Sequence, residues 1–153
     1  MESKEKQKLK NYAIWLLSRQ EYSRKMLGDK LLLKGASAEY ADELIEWLSD
    51  LGYVDDARHC ESFLNRQLAK GLGEKRILME ASKKGVERTQ LLQLIEEKEV
   101  DWYDIAQHTY EKKYGCSNDK LDYQEKSKRV RYMMYRGFSY DQIDFAIQAQ
   151  NDH

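Results

Sequence analysis

Apolar residues along this chain return every three or four positions and rarely alternate, which is the signature of amphipathic helices rather than strands. Ala41, Leu44, Ile45 and Leu48 make the sharpest stripe. In the centre, Ala57, Cys60, Leu64 and Leu68 fall on one face, widened by Phe63, followed by Ile77, Leu78 and Ala81 and then by Leu91, Leu94 and Ile95. Flanking stripes run through Leu9, Tyr12, Ala13 and Leu16, through Met26, Leu27 and Leu31, through Ile105, Ala106, Thr109 and Tyr110, and through Ile143, Ala146 and Ile147. Punctuation between the stripes fits. Ser23, Ser37 and the Asp55-Asp56 pair stand where helix N-termini want an oxygen acceptor. Asp101 with Asp104 reads as a weaker capping pair, and Ser139 with Gln142 as a capping box. Gly71 and Gly73 break the central run, and Gly85 closes the helix after it. The predicted helices are about 9–19, one capped by Ser23 and ending at Lys34-Gly35, one capped by Ser37 and ending before Gly52, 55–69, 74–84, 88–98, one after the Asp101 cap, 123–136 and one after the Ser139 cap, with a loop near 115–119.

The same plan recurs. Lys34-Gly35, Lys84-Gly85 and Arg136-Gly137 lie about 50 residues apart, and the pairs Leu44-Ile45, Leu94-Ile95 and Ala146-Ile147 follow each at a fixed offset. The expected fold is all-α: three tandem three-helix repeats stacked into an elongated, curved array, since one such unit buries too little alone. The expected boundaries are a frayed lead over 1–7, then units over 8–52, 53–100 and 101–150.

The stretch from Asp55 to Gly85 resembles the RecX family, bacterial regulators of the RecA recombinase. The elements that carry the resemblance are Asp55-Asp56, Phe63, Arg66, Lys70-Gly71, Arg76-Ile77 and Lys84-Gly85. SRQEYSRKML near the start and YMMYRGFSYDQI near the end are similar to the family's opening and closing repeats. His59 stands where the family usually carries an aromatic, and Glu74 where a proline is common. The resemblance implies three tandem three-helix repeats. It further implies a protein that lies in the groove of the RecA–single-stranded-DNA filament and limits filament growth, strand exchange and nucleotide hydrolysis.

Composition narrows the picture. Charged residues make up 35% of the 153, hydrophobic ones 41%, and there is no proline, which favours a helical chain over a disordered one. No apolar run approaches a membrane span and no leader pattern opens the chain, so a cytoplasmic, monomeric protein is expected. Cys60 and Cys116 lack paired spacing and read as reduced thiols. Trp15, Trp47 and Trp102 sit on or beside the stripes and read as core residues; His59 reads as a helix-surface histidine.

Charge is segregated although the net is only −1. Second helices are basic and third helices acidic, with Glu39, Asp42, Glu43 and Glu46 answering Arg24, Lys25, Lys30 and Lys34 in the first unit. Two readings stay open: solvated faces that suit the helix dipoles, or a basic surface that meets phosphates or an acidic protein. Under the second, Arg66, Arg76, Arg129, Arg131 and Arg136 are the leading contacts because guanidinium binds carboxylate or phosphate through two bonds, with Lys70, Lys83 and Lys84 behind. No residues here have the spacing of a metal site, a phosphate loop or an acid–base pair, so neither catalysis nor a cofactor is expected. Three functions follow as candidates: a RecA-filament regulator with weak contacts to single- or double-stranded DNA, a single-strand-binding module that acts by competing for DNA, and a helical adaptor for another protein.

Overall fold

The computed structural model describes residues 3–117 and 119–151. Among them are nine α-helices and no strand: α1 (Lys4–Arg19), α2 (Arg24–Leu33), α3 (Ala38–Asp50), α4 (Asp56–Ala69), α5 (Glu74–Lys83), α6 (Arg88–Glu97), α7 (Trp102–Tyr114), α8 (Tyr123–Tyr135) and α9 (Tyr140–Asn151). Side-chain oxygens start most of them. Ser23 accepts from the Met26 N–H, Ser37 from that of Tyr40 and Asp55 from that of Arg58, each at 3.1 Å. Ser139 and Gln142 bond each other's backbone N–H groups reciprocally. Each cap satisfies a donor that the helix itself cannot, and replacing one by alanine costs about 1 kcal/mol. Helix α1 begins at Lys4, inside the stretch expected to fray. Ser3 caps it through the Lys6 N–H, and the Tyr40 hydroxyl of α3 donates to the Lys6 carbonyl at 3.1 Å.

Helices α1–α3, α4–α6 and α7–α9 are three tandem three-helix repeats, each with its own apolar cluster. Leu27, Leu31, Leu44 and Leu48 lie in the first, Phe63, Leu64, Ile77 and Leu91 in the second, and Tyr110, Met133 and Ile143 in the third. Burying one such side chain contributes about 1.5–3 kcal/mol, so each cluster stabilises its own repeat. Because the clusters stay separate, the molecule is extended. It exposes 10029 Å², against about 8,100 Å² expected of a compact monomer of its mass.

Side chains at the edges of the stripes depart from expectation. Ala57 is exposed, because the Asp55 cap sets a register in which His59, Cys60, Phe63, Leu64 and Gln67 face inward. His59 is 3% exposed, buried rather than on the surface. Trp15 and Trp47 lie outside the core at 52% and 39% exposure, and cations cover their rings: Arg19 is 4.9 Å from the Trp15 centroid and Lys10 is 4.2 Å from that of Trp47. Trp102 is half-buried against the second cluster.

Backbone polar groups join the repeats. The second helices meet end to end, the carbonyl end of one against the N–H end of its predecessor. Gly73 N–H donates to the Arg136 carbonyl at 2.8 Å and Lys75 N–H to that of Gly137 at 3.3 Å, so the end of α8 satisfies the start of α5. The end of α5 meets α2 likewise, through the Ser23 hydroxyl donating to the Lys84 carbonyl at 3.1 Å. This order also aligns the helix dipoles favourably. Gly137 must be glycine here: its φ is +102° and a Cβ would stand 2.4 Å from Arg76 Cβ. Asp56, expected to support its own helix, instead accepts from the Arg24 N–H at 2.9 Å and so caps α2 from the next repeat.

Candidate cationic interface at the repeat junctions

End-to-end packing leaves a hollow beside each junction. At the first, the α1–α2 turn, α4 and the end of α5 enclose a cavity of about 140 Å³. Arg66 reaches it from α4, Lys70 from that helix's C-cap and Lys84 from the C-cap of α5. None of the three forms an ion pair within the described residues, and the Arg66 Nε donates only to the Ser62 carbonyl at 3.3 Å. His59 and Gln67 line the same space, both more than nine-tenths buried. Burial pushes the His59 imidazole below its ordinary pKa, with help from Arg66 and Lys84 and against Asp56 and Glu21, so it stands neutral near pH 7. On the repeat 1 side, the Glu21 Oε1 accepts from the Arg58 Nε at 2.6 Å, tying the turn to α4.

The second junction repeats this layout on a larger scale. A groove of about 620 Å³ lies between the α4–α5 turn, α7 and the end of α8, lined by Lys70, His108, Lys112, Lys113 and Arg136. Thr109 holds the turn by donating to the Gly71 carbonyl at 2.9 Å. The Arg136 guanidinium donates to the Lys70 carbonyl and lies 5.9 Å from the Tyr132 centroid, with Lys113 5.2 Å from the same ring. Arg136 thus occupies in the third repeat the place of Lys84 in the second. Lys70 lines both hollows, so the cations form one track from the first junction to the second.

Four of the residues singled out from the sequence, Arg66, Lys70, Lys84 and Arg136, converge on this track. The others are placed differently. Arg76 sits within the second junction, 4.8 Å from the Tyr135 ring, bonded to the Tyr135 carbonyl at 3.2 Å and paired with Glu80 at 3.3 Å. Lys83 is exposed and lies 3.9 Å from the same Glu80. Arg129 is half-buried and internal, donating to the Tyr110 hydroxyl at 2.8 Å and to Glu125 at 2.9 Å over the Tyr114 ring. Arg131 is exposed on α8, outside both hollows. Within repeat 1 the Arg24–Glu46 pair joins α2 to α3, so part of the charge segregation is internal pairing. Lys112 and Lys113 were not singled out. Aligning the caps Asp55 and Asp101 would have found one of them, since it puts Lys112 in the place of Arg66.

Separate repeats and polar junctions define a helical-repeat protein, with a cationic track along its junctions. Among the described residues no group of three or more His, Cys, Asp and Glu is placed to hold a metal ion, and no helix is long and apolar enough to cross a membrane. Models of the first and third RecX three-helix domains match residues 10–48 and 99–147. Regulatory protein RecX of Vibrio cholerae serotype O1 (strain M66-2) is 38% identical over 139 residues, 90% of each chain. That of Haemophilus influenzae (strain PittEE) is 35% identical over 144 residues, covering 93% of this chain and 95% of the relative. The crystal structure of RecX from Lactobacillus salivarius superposes with a TM-score of 0.79 at 27% identity, covering 97% of this chain and 98% of that one. The chain belongs to the RecX family of regulatory proteins.

Proposed function

We propose that this protein regulates the RecA recombinase in the cytoplasm, as a monomer and without chemistry of its own, by lodging in the groove of the RecA–single-stranded-DNA filament. Membership of the RecX family of regulatory proteins supports this choice of partner. The observation that carries the mode of action is the cationic track: it runs along both junctions, so one docked molecule engages its partner through cations of the second and third repeats, up to the edge of the first. A ligand that spans repeats holds successive filament subunits in one arrangement, which limits growth and nucleotide hydrolysis. Charge segregation speeds and orients docking, while a net charge of −1 keeps attraction to bare DNA weak.

The test is RecA's single-strand-dependent ATP hydrolysis with this protein titrated in after filaments form, beside anisotropy on the bare strand. Inhibition at concentrations well below those that occupy free DNA is the expected result. Because the track is built of phosphate-binding side chains, DNA competition is the second reading, and inhibition that merely follows DNA occupancy would establish it. Folded protein with no effect on RecA would leave an adaptor for another partner.

A further inference from the structure

The cavity at the first junction is lined by buried polar side chains as well as by cations. His59 and Gln67, 3% and 8% exposed, make no side-chain hydrogen bond within the described residues, yet both line the space. Glu21 faces it too, and its buried Oε2 has no partner although Oε1 is satisfied by Arg58. The polar atoms of His59 and Gln67 open onto this space without a partner, so the site suits a polar occupant. Three cations on the wall against one carboxylate, itself paired with Arg58, make that occupant an anion. Phe63 and Met26 close the apolar side.

We propose that this cavity is a phosphate site, taking inorganic phosphate or the terminal phosphomonoester of a nucleotide on Arg66, Lys70 and Lys84. Neutral His59 and the Gln67 amide supply N–H donors to its oxygens. The second ring nitrogen of neutral His59 and the Gln67 carbonyl oxygen select among anions, because each accepts a hydrogen bond. A phosphate monoanion carries a P–OH that can donate to them; sulfate and an internal phosphodiester carry none. Since Gln20, Glu21 and Met26 come from repeat 1 and the cations from repeat 2, an occupied site fixes the two repeats against each other. The ligand therefore sets the pose of the array, whatever partner the array serves.

The experiment is calorimetric titration of the full chain with inorganic phosphate, against sulfate and chloride at matched ionic strength, with no recombinase present. Saturable phosphate binding that exceeds sulfate binding is expected, weakened about tenfold by Arg66→Gln and by Lys84→Gln and unchanged by Lys128→Gln. Gln67→Met should narrow the preference for phosphate over sulfate. A single strand carrying a terminal phosphate, compared with the same strand ending in hydroxyl, separates the two sources. Preference for the phosphorylated end assigns a nucleotide terminus; equal binding of the two strands beside saturable free phosphate assigns the inorganic ion. Phosphate heats no different from chloride, or Arg66→Gln and Lys84→Gln no weaker than Lys128→Gln, would overturn the proposal. Strand binding without free-phosphate binding would also overturn it.

Discussion

His59 brings an ionisable ring into the first junction beside Arg66, Lys84, Asp56 and Glu21. Its folded pKa lies below the ordinary value of about 6.5, so below that pH the unfolded chain binds a proton that the folded chain refuses. Stability should therefore fall as pH drops through about 6.5 towards the folded value, and level off below it. Urea midpoints measured across that range should show the slope, and His59→Gln should flatten it. The two cysteines diverge for a related reason. Burial, aided by Glu87, Asp56 and Glu61, raises the Cys60 thiol pKa, whereas Cys116 is exposed. Only the thiolate reacts, so an alkylating probe should modify Cys116 rapidly in native protein and Cys60 only after denaturant is added. Equal rates in the native state would contradict the buried placement of Cys60.

At the scale of elements, the recurring glycines are not equivalent. Gly35 has φ +104° and open space within 4 Å of the point where a methyl group would stand, whereas at Gly137 the same methyl would collide with Arg76 and wedge α8 away from α5. Gly35→Ala should cost about 1–2 kcal/mol, from backbone conformation alone. Gly137→Ala should cost at least about twice that, read as a shift in urea midpoint, because overpacking adds to the strain. The contrast explains what could be read from the sequence. Stripes such as Ala41, Leu44, Ile45 and Leu48, with caps such as Ser37, encode contacts inside one repeat, and those helices form where the pattern puts them. The period of the glycines marked the repeats. Junctions leave less trace than Gly137 alone suggests, because backbone carbonyls of Lys84, Arg136 and Gly137 make their bonds and any residue carries a carbonyl. For the same reason Asp56 looked like a helper for its own helix, and no local pattern shows that it caps α2. Charge, too, was legible as residue type but not as place. Arg129 and Arg66 look alike in the sequence, yet one holds Tyr110 and Glu125 and the other borders the open cavity.

For the whole molecule, separate cores and polar junctions make the pose of the repeats softer than the repeats themselves. A partner surface that touches only one repeat gains nothing from the array, while one that touches two or three meets the cations of both junctions together. Lys70 is the residue on which that difference turns, since it lines both hollows and belongs to neither core. Lys70→Glu should therefore raise the concentration needed to half-inhibit RecA's ATP hydrolysis by about tenfold or more, as expected for reversing a charge that meets acceptors on two sides. Lys128→Glu, an equal change of net charge on exposed α8 surface away from both hollows, should shift it little. Circular dichroism and urea midpoints matching the parent would show both variants folded, as their exposure leads one to expect. Raising salt should narrow the gap between parent and Lys70→Glu, because screening removes what the mutation removes. If the two reversals weaken inhibition equally, net charge and not the track governs docking. If neither does, the partner reads a face other than the junctions, and the track's cations serve only the phosphate cavity that Lys70 helps to line.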